Sequence, residues 1–158
     1  MSTRCQILVE GSSVVIYRHS DGYPQGPNGV LATLKPLVVE FVKYRGWDEE
    51  YLPAHIIADQ IKHHKAWADK AAAEAEAEKP GRGESYKQAA FLGFGVEAYN
   101  PDSTESHSLH GDIEYLYHVR KSGVIEVLVP TDAFDEDCRL SNMKVLKRVS
   151  AKPRKSKA

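Results

Sequence analysis

Cys5, Ile7 and Val9 alternate with Gln6, Leu8 and Glu10, Gly11-Ser12-Ser13 interrupts, and an apolar, β-branched run resumes from Val14 to His19. A period of two broken by a short glycine-bearing turn predicts a β-hairpin. Leu31, Leu34, Val38, Phe41 and Val42 then recur at helical spacing up to a stop at Gly46, and Pro36 requires that helix to start near it or kink at it. Asp48, followed by Glu49 and Glu50, predicts a capped second helix with an apolar line of Ile57, Ile61, His64, Ala68 and Ala71, and Trp67 alongside.

Alanine and glutamate alternate from Ala71 until Pro80, Gly81 and Gly83, which predicts a frayed helix end and a mobile loop over residues 71–86. Ala89 to Tyr99 has strand character, with Leu92, Phe94 and Val96 on one face and Gly93 and Gly95 on the other, a glycine pair best explained by close helix packing. After a polar loop, Asp112–Val119 and Val124–Val129 flank Lys121-Ser122-Gly123 as a second hairpin. Thr131 to Asp137 is expected to form a capped acidic turn of helix, and Met143 to Val149 a last short strand. The order β-β-α-α-β-β-β predicts an α+β fold, an antiparallel sheet of five or six strands with two helices packed on one face. It forms a single domain over residues 1–150, followed by a disordered basic tail at 151–158.

Charge changes this picture at one end only. Seven basic residues and no acidic ones follow Met143, which leaves fourteen basic against twenty-two acidic residues before it. An acidic body with a short basic tail is a poor nucleic-acid surface, so the tail is read as a solubilising end and nucleic acid is expected only there. Two cysteines, Cys5 and Cys138, make no disulfide framework and fit a reducing, cytoplasmic setting. No apolar run is long enough for a membrane span, and the first residues enter a strand pattern without a signal-peptide core.

Chemistry concentrates in Y-R-H-S-D-G-Y-P, Tyr17 to Pro24, where a strand delivers side chains into a loop rich in glycine and proline. R-H-S-D-G at 18–22 and L-H-G-D-I at 109–113 each set an imidazole two residues from a carboxylate at a strand end. If the two strands are neighbours, Arg18, His19, Asp21 and Tyr23 face His110, Asp112 and Tyr115 across one polar cleft. Such a kit suits binding without turnover of a nucleotide-like or other phosphorylated molecule: arginine for phosphate, tyrosines for a ring, aspartates for an amine or a ribose hydroxyl. An alternative is a metal-dependent hydrolase using His19, Asp21, His110 and Asp112. A third reading is an acidic protein-interaction or DNA-mimic surface that includes Glu74, Glu76 and Glu78.

No Walker pattern or dinucleotide fingerprint is present, so no cofactor is expected, and no catalytic or metal residue is assigned. The helical His55, His63 and His64 are read as surface or packed side chains. Open strand edges near either hairpin make a homodimer an expectation.

The opening M-S-T-R-C-Q-I, the octet Y-R-H-S-D-G-Y-P and H-G-D-I-E-Y-L-Y at 110–117 resemble a group of small bacterial and bacteriophage proteins that carries no established activity. The resemblance spans Met1 to about Val129. It implies a small cytoplasmic protein of phage or prophage type that binds or blocks a host component, as counter-defence proteins that sequester signals do.

Overall fold

The computed structural model describes residues 2–101, 109–131 and 139–154. Strands β1 (Cys5–Val9) and β2 (Val14–Arg18) form the first hairpin, followed by helices α1 (Val30–Arg45), α2 (Tyr51–Glu78) and the short α3 (Glu84–Ala89). Strands β3 (Phe94–Ala98), β4 (Tyr115–Val119), β5 (Val124–Pro130) and β6 (Met143–Ser150) complete an α+β fold. The sheet has six strands in the order β3-β2-β1-β4-β5-β6. Four pairings are antiparallel, as the pattern predicts, and β1 with β4 is parallel. That exception follows from the connection. Parallel neighbours need a long crossover, and here the helices and β3 intervene before the chain returns to the open side of β1.

One face of the sheet carries the helices. Val30, Leu34, Val38 and Phe41 of α1 and Leu52 and Ile56 of α2 bury against Ile7, Val9, Ile16, Tyr117, Ile125 and Val127. Pro36 lies inside α1 rather than at its start. It is exposed, as is Ala32 one turn before it, so the carbonyl that loses its helical partner can be solvated. Asp48 caps α2 as expected, its Oδ1 accepting the N–H groups of Glu50 and Tyr51 at 3.0 Å each. The expected apolar line on α2 is met in part, by buried Ala68 and by Ile57, which packs against the core, but the most buried face lies beside it. Buried positions run Leu52, Ile56, Gln60, Ala68 and Ala72, whereas Ile61 is exposed. A polar residue at the centre of that line hides it from a reading based on hydrophobicity.

The alanine/glutamate segment is helical through Glu78 and then folds back on itself. Glu76 Oε2 accepts N–H groups from Gly81 and Gly83 at 3.1 Å each, and Ala72 is buried. Gly83 approaches α2 so closely that a Cβ would sit 2.7 Å from the Ala72 carbonyl oxygen. Helix α3, which the strand pattern did not anticipate, therefore packs beside α2. The glycines before and in β3 are not a close-packing pair: Gly93 takes φ +89° in the turn into the strand, and the space a Cβ would fill at Gly95 is open.

A smaller apolar cluster of Leu8, Val15, Leu109, Ile113, Leu116 and Leu128 covers part of the opposite face. Ala151 is buried and its N–H donates to the Gly123 carbonyl at 2.8 Å, so contacts with the sheet continue past β6. The expected helical turn at Thr131–Asp137, His107 and Cys138 fall on or within 132–138 and 102–108, outside the described residues apart from Thr131. Among the described residues no helix is long and apolar enough to cross a membrane.

Candidate functional site

Strand alternation decides where the octet's side chains go. Ile16 faces the helices, so Arg18, two residues on, does too, whereas Tyr17 packs with the apolar cluster of the opposite face. The single cleft expected from the sequence is therefore divided by the sheet.

On the helix side, Arg18 and Asp21 line a pocket of about 250 Å³ between the end of β2, the first turn of α1, the middle of α2 and the start of β3. Arg18 is held on two sides: its Nε donates to the Ser20 carbonyl at 2.8 Å and its Nη1 to Gln60 Oε1 at 2.6 Å. Gln60 in turn donates from Nε2 to Thr33 Oγ1 at 2.6 Å, and Thr33 donates to the Val30 carbonyl at 3.3 Å. This chain runs from guanidinium to helix backbone with every donor directed one way. It explains why a glutamine only 2% exposed occupies a core position of α2.

The guanidinium carbon lies 5.6 Å from the Phe94 ring centroid, leaving the Nη2 edge without a partner among these hydrogen bonds. Helix α1 begins at the same place. Its N-cap, Gly29, supplies no side-chain hydrogen bond and its first turn has no acidic residue; the Val30 and Ala32 N–H groups donate to the Tyr23 and Gly29 carbonyls, so the dipole's positive end has backbone partners but no charged partner within the helix. Asn28, Gly29 and Thr33 line the pocket beside Arg18.

The remaining wall is aromatic. His64 and Phe94 meet edge to face at 5.3 Å, and Trp67 stacks on His64 at 5.6 Å. The His64 Nε2–H donates to the Ala89 carbonyl at 2.7 Å, which fixes the ring. Asp21 stands at the rim with φ +53°, the one described residue other than glycine in the left-handed region, where aspartate is better tolerated than most side chains. Gly22, next to it, is there for packing. A Cβ would lie 2.8 Å from both the Cys5 Cβ and the Thr3 carbonyl oxygen, and its own carbonyl accepts the buried Tyr117 hydroxyl at 2.6 Å.

Across the sheet, His19, His110 and Asp112 come together around Tyr17. The His110 ring stacks on Tyr17 at 4.5 Å, its Nε2 is 2.6 Å from Glu97 Oε1, and its Nδ1 is 3.7 Å from Asp112 Oδ1. Arg4 reaches Asp112 at 3.4 Å and donates to His19 Nδ1 at 3.4 Å. The His110 N–H donates to buried Gln6. These contacts tie the segment before β4 to β1, β2 and β3, although Asp112 Oδ1 and Gln6 Nε2 stay buried without a hydrogen-bond partner.

Tyr115 and Tyr23 join neither group. Tyr115 is half-buried against the helix-side core, and Tyr23 is half-buried with its carbonyl accepting the Val30 N–H at the start of α1. Asp21 lines the helix-side pocket with Arg18 and so does not join His19, His110 and Asp112; among the described residues no group of three or more His, Cys, Asp or Glu side chains could hold a metal ion. Gln60, Trp67, His64 and Phe94 are among the pocket residues that the sequence pattern did not assign to a site. The signal available for Gln60 was its polarity within the four-residue repeat from Leu52 to Ala72.

No protein-family model, curated protein or solved structure matches this chain.

Proposed function

We propose that this protein binds, without chemical turnover, a small phosphorylated molecule carrying a flat ring, such as a nucleotide, in the pocket around Arg18. One observation carries the reading: a guanidinium locked by Ser20 and Gln60 lies beside an aromatic wall and the start of α1, which has no side-chain cap. A fixed arginine and the positive end of the α1 dipole favour an anion, and Phe94, His64 and Trp67 favour a ring. The volume, about 250 Å³, is near the lower end for ligand pockets, roughly 300 Å³, and suits a mononucleotide-sized group left partly in solvent. Asp21 at the rim is placed to accept from a hydroxyl or an exocyclic amine. Sequestration of such a molecule is the role this implies.

The hydrolase alternative loses one of its four groups, since Asp21 lines the helix-side pocket while His19, His110 and Asp112 gather on the other face. The acidic-mimic alternative is weakened in a similar way. Of its three named glutamates, Glu76 holds Gly81 and Gly83, and Glu78 pairs with Arg82 at 3.0 Å.

Isothermal titration with nucleoside monophosphates, the matching nucleosides and inorganic phosphate tests the proposal. Monophosphates are expected to bind, nucleosides at least tenfold more weakly, and Arg18→Lys to lose most of the difference because an ammonium lacks the planar fork. Equal affinity for nucleoside and nucleotide, or no binding by any of them, refutes it.

A further inference from the structure

The aromatic wall of the pocket does not stop at its mouth. From Phe94 and His64 it continues to Trp67, and Tyr86 of α3 meets Trp67 edge to face at 6.2 Å. Trp67 is 55% exposed and Tyr86 37%, so the row climbs from the pocket interior to the surface. Tyr86 does not line the pocket, and a single bound nucleotide leaves it unused.

The row is also firmly held. His64 is bonded to the Ala89 carbonyl at the end of α3, Gly83 abuts α2, and Glu76 clasps the turn between the two helices. The rings touch at centroid spacings of 5.3, 5.6 and 6.2 Å, two of these contacts edge to face, and exposed Trp67 and Tyr86 add aromatic surface for a second flat ring beyond the pocket.

Resting on the pocket reading above, we propose that the ligand is the phosphorylated end of a short single-stranded oligonucleotide. The terminal phosphate lies at Arg18 and the start of α1, the first base lies against Phe94 and His64, and the next base lies on Trp67 and Tyr86. A duplex is excluded because its base faces are already covered by stacking, whereas those of a single strand are free.

Cations contribute little along this path. Arg18 is the one arginine or lysine among the described residues lining the pocket, and near the row Lys65 is paired with Asp69 at 2.8 Å and Lys87 with Glu84 at 3.2 Å. Binding therefore draws mainly on stacking and on one anchored phosphate. The slope of log K against log salt is expected near −0.7 to −1.4, as for one or two single-strand phosphates.

The test compares a nucleoside monophosphate, a terminally phosphorylated trinucleotide with the phosphate at either end, the same trinucleotide without it, and a blunt duplex, by titration calorimetry and tryptophan fluorescence. The phosphorylated trinucleotide is expected to bind about tenfold tighter than the monophosphate, the gain of one stacked base. Tyr86→Ala should remove that gain and leave monophosphate affinity unchanged, while Tyr86→Phe should keep it, which separates loss of stacking from misfolding. Equal binding of monophosphate and trinucleotide overturns the extension and leaves the pocket reading standing. Duplex binding as tight as single strand, or a trinucleotide indifferent to its terminal phosphate, also overturns the extension. Failure of monophosphate and trinucleotide alike overturns both.

Discussion

Replacing Gln60 by leucine isolates the hydrogen-bonded chain that fixes the pocket. Leucine keeps the volume and the helix propensity, so the cavity cost is small and the effect reports polar contacts. Two bonds of 2.6 Å are lost, one from the charged Arg18 and one to the Thr33 hydroxyl. A bond to a charged group contributes about 1.5–3 kcal/mol and a neutral one about 1 kcal/mol. Arg18 is only part-buried and retains Ser20, so water can reach the freed Nη1 and the charged bond falls at the low end of its range. The burial of a leucine offsets part of the total. A net loss of about 2 kcal/mol is expected, or roughly 4–8 °C in Tm for a domain of this size.

Urea unfolding followed by circular dichroism measures it. Arg18→Met should cost a similar amount, and the double variant should recover part of the sum because neither partner is then left unsatisfied. If Gln60→Leu is as stable as the parent, or the two losses simply add, the chain from Arg18 to α1 does not hold the site together and the account of the pocket fails.

Gly22→Ala should destabilise by about 1–3 kcal/mol, because the added carbon meets backbone at Thr3 and the Cys5 Cβ in the interior; unchanged thermal stability would refute the close approach. His118 is buried, which pushes its pKa down, and the Arg120 guanidinium 3.4 Å from Nδ1 adds to that against the weaker pull of Glu126 and Glu10. The unfolded chain therefore takes up this proton first, so stability should fall as pH drops below about 6.5, and His118→Gln should flatten the curve there. Burial pushes the Cys5 thiol up to about 12, with Arg18 opposing only weakly, so iodoacetamide at pH 8 should leave Cys5 unmodified in the folded protein and label it in urea, as read by peptide mass spectrometry.

The elements were largely legible in the sequence because period-two and period-3.6 patterns arise locally, from which side of a strand or helix is buried. Both hairpins, the Asp48 cap and the α+β class follow from neighbours a few residues apart. Helix α3 was not legible, since six residues carry too little periodicity to compete with the apolar run that follows them.

The site is where local pattern fails. His19 and Arg18 are adjacent in sequence and on opposite faces of a sheet, and that separation depends on β2 staying extended through its last residue. Gln60 is forty-two residues from Arg18, so its burial makes sense only once α2 is docked over the end of β2. Which segments become strands and helices could be read from local pattern, because those choices are made by short-range burial and backbone preference. Only the tertiary structure decided that the octet's arginine would meet α1, α2 and Phe94 while its histidine met Arg4 and Tyr17, because strand pairing and helix docking assign each side chain to a face and a partner that lie far away along the chain.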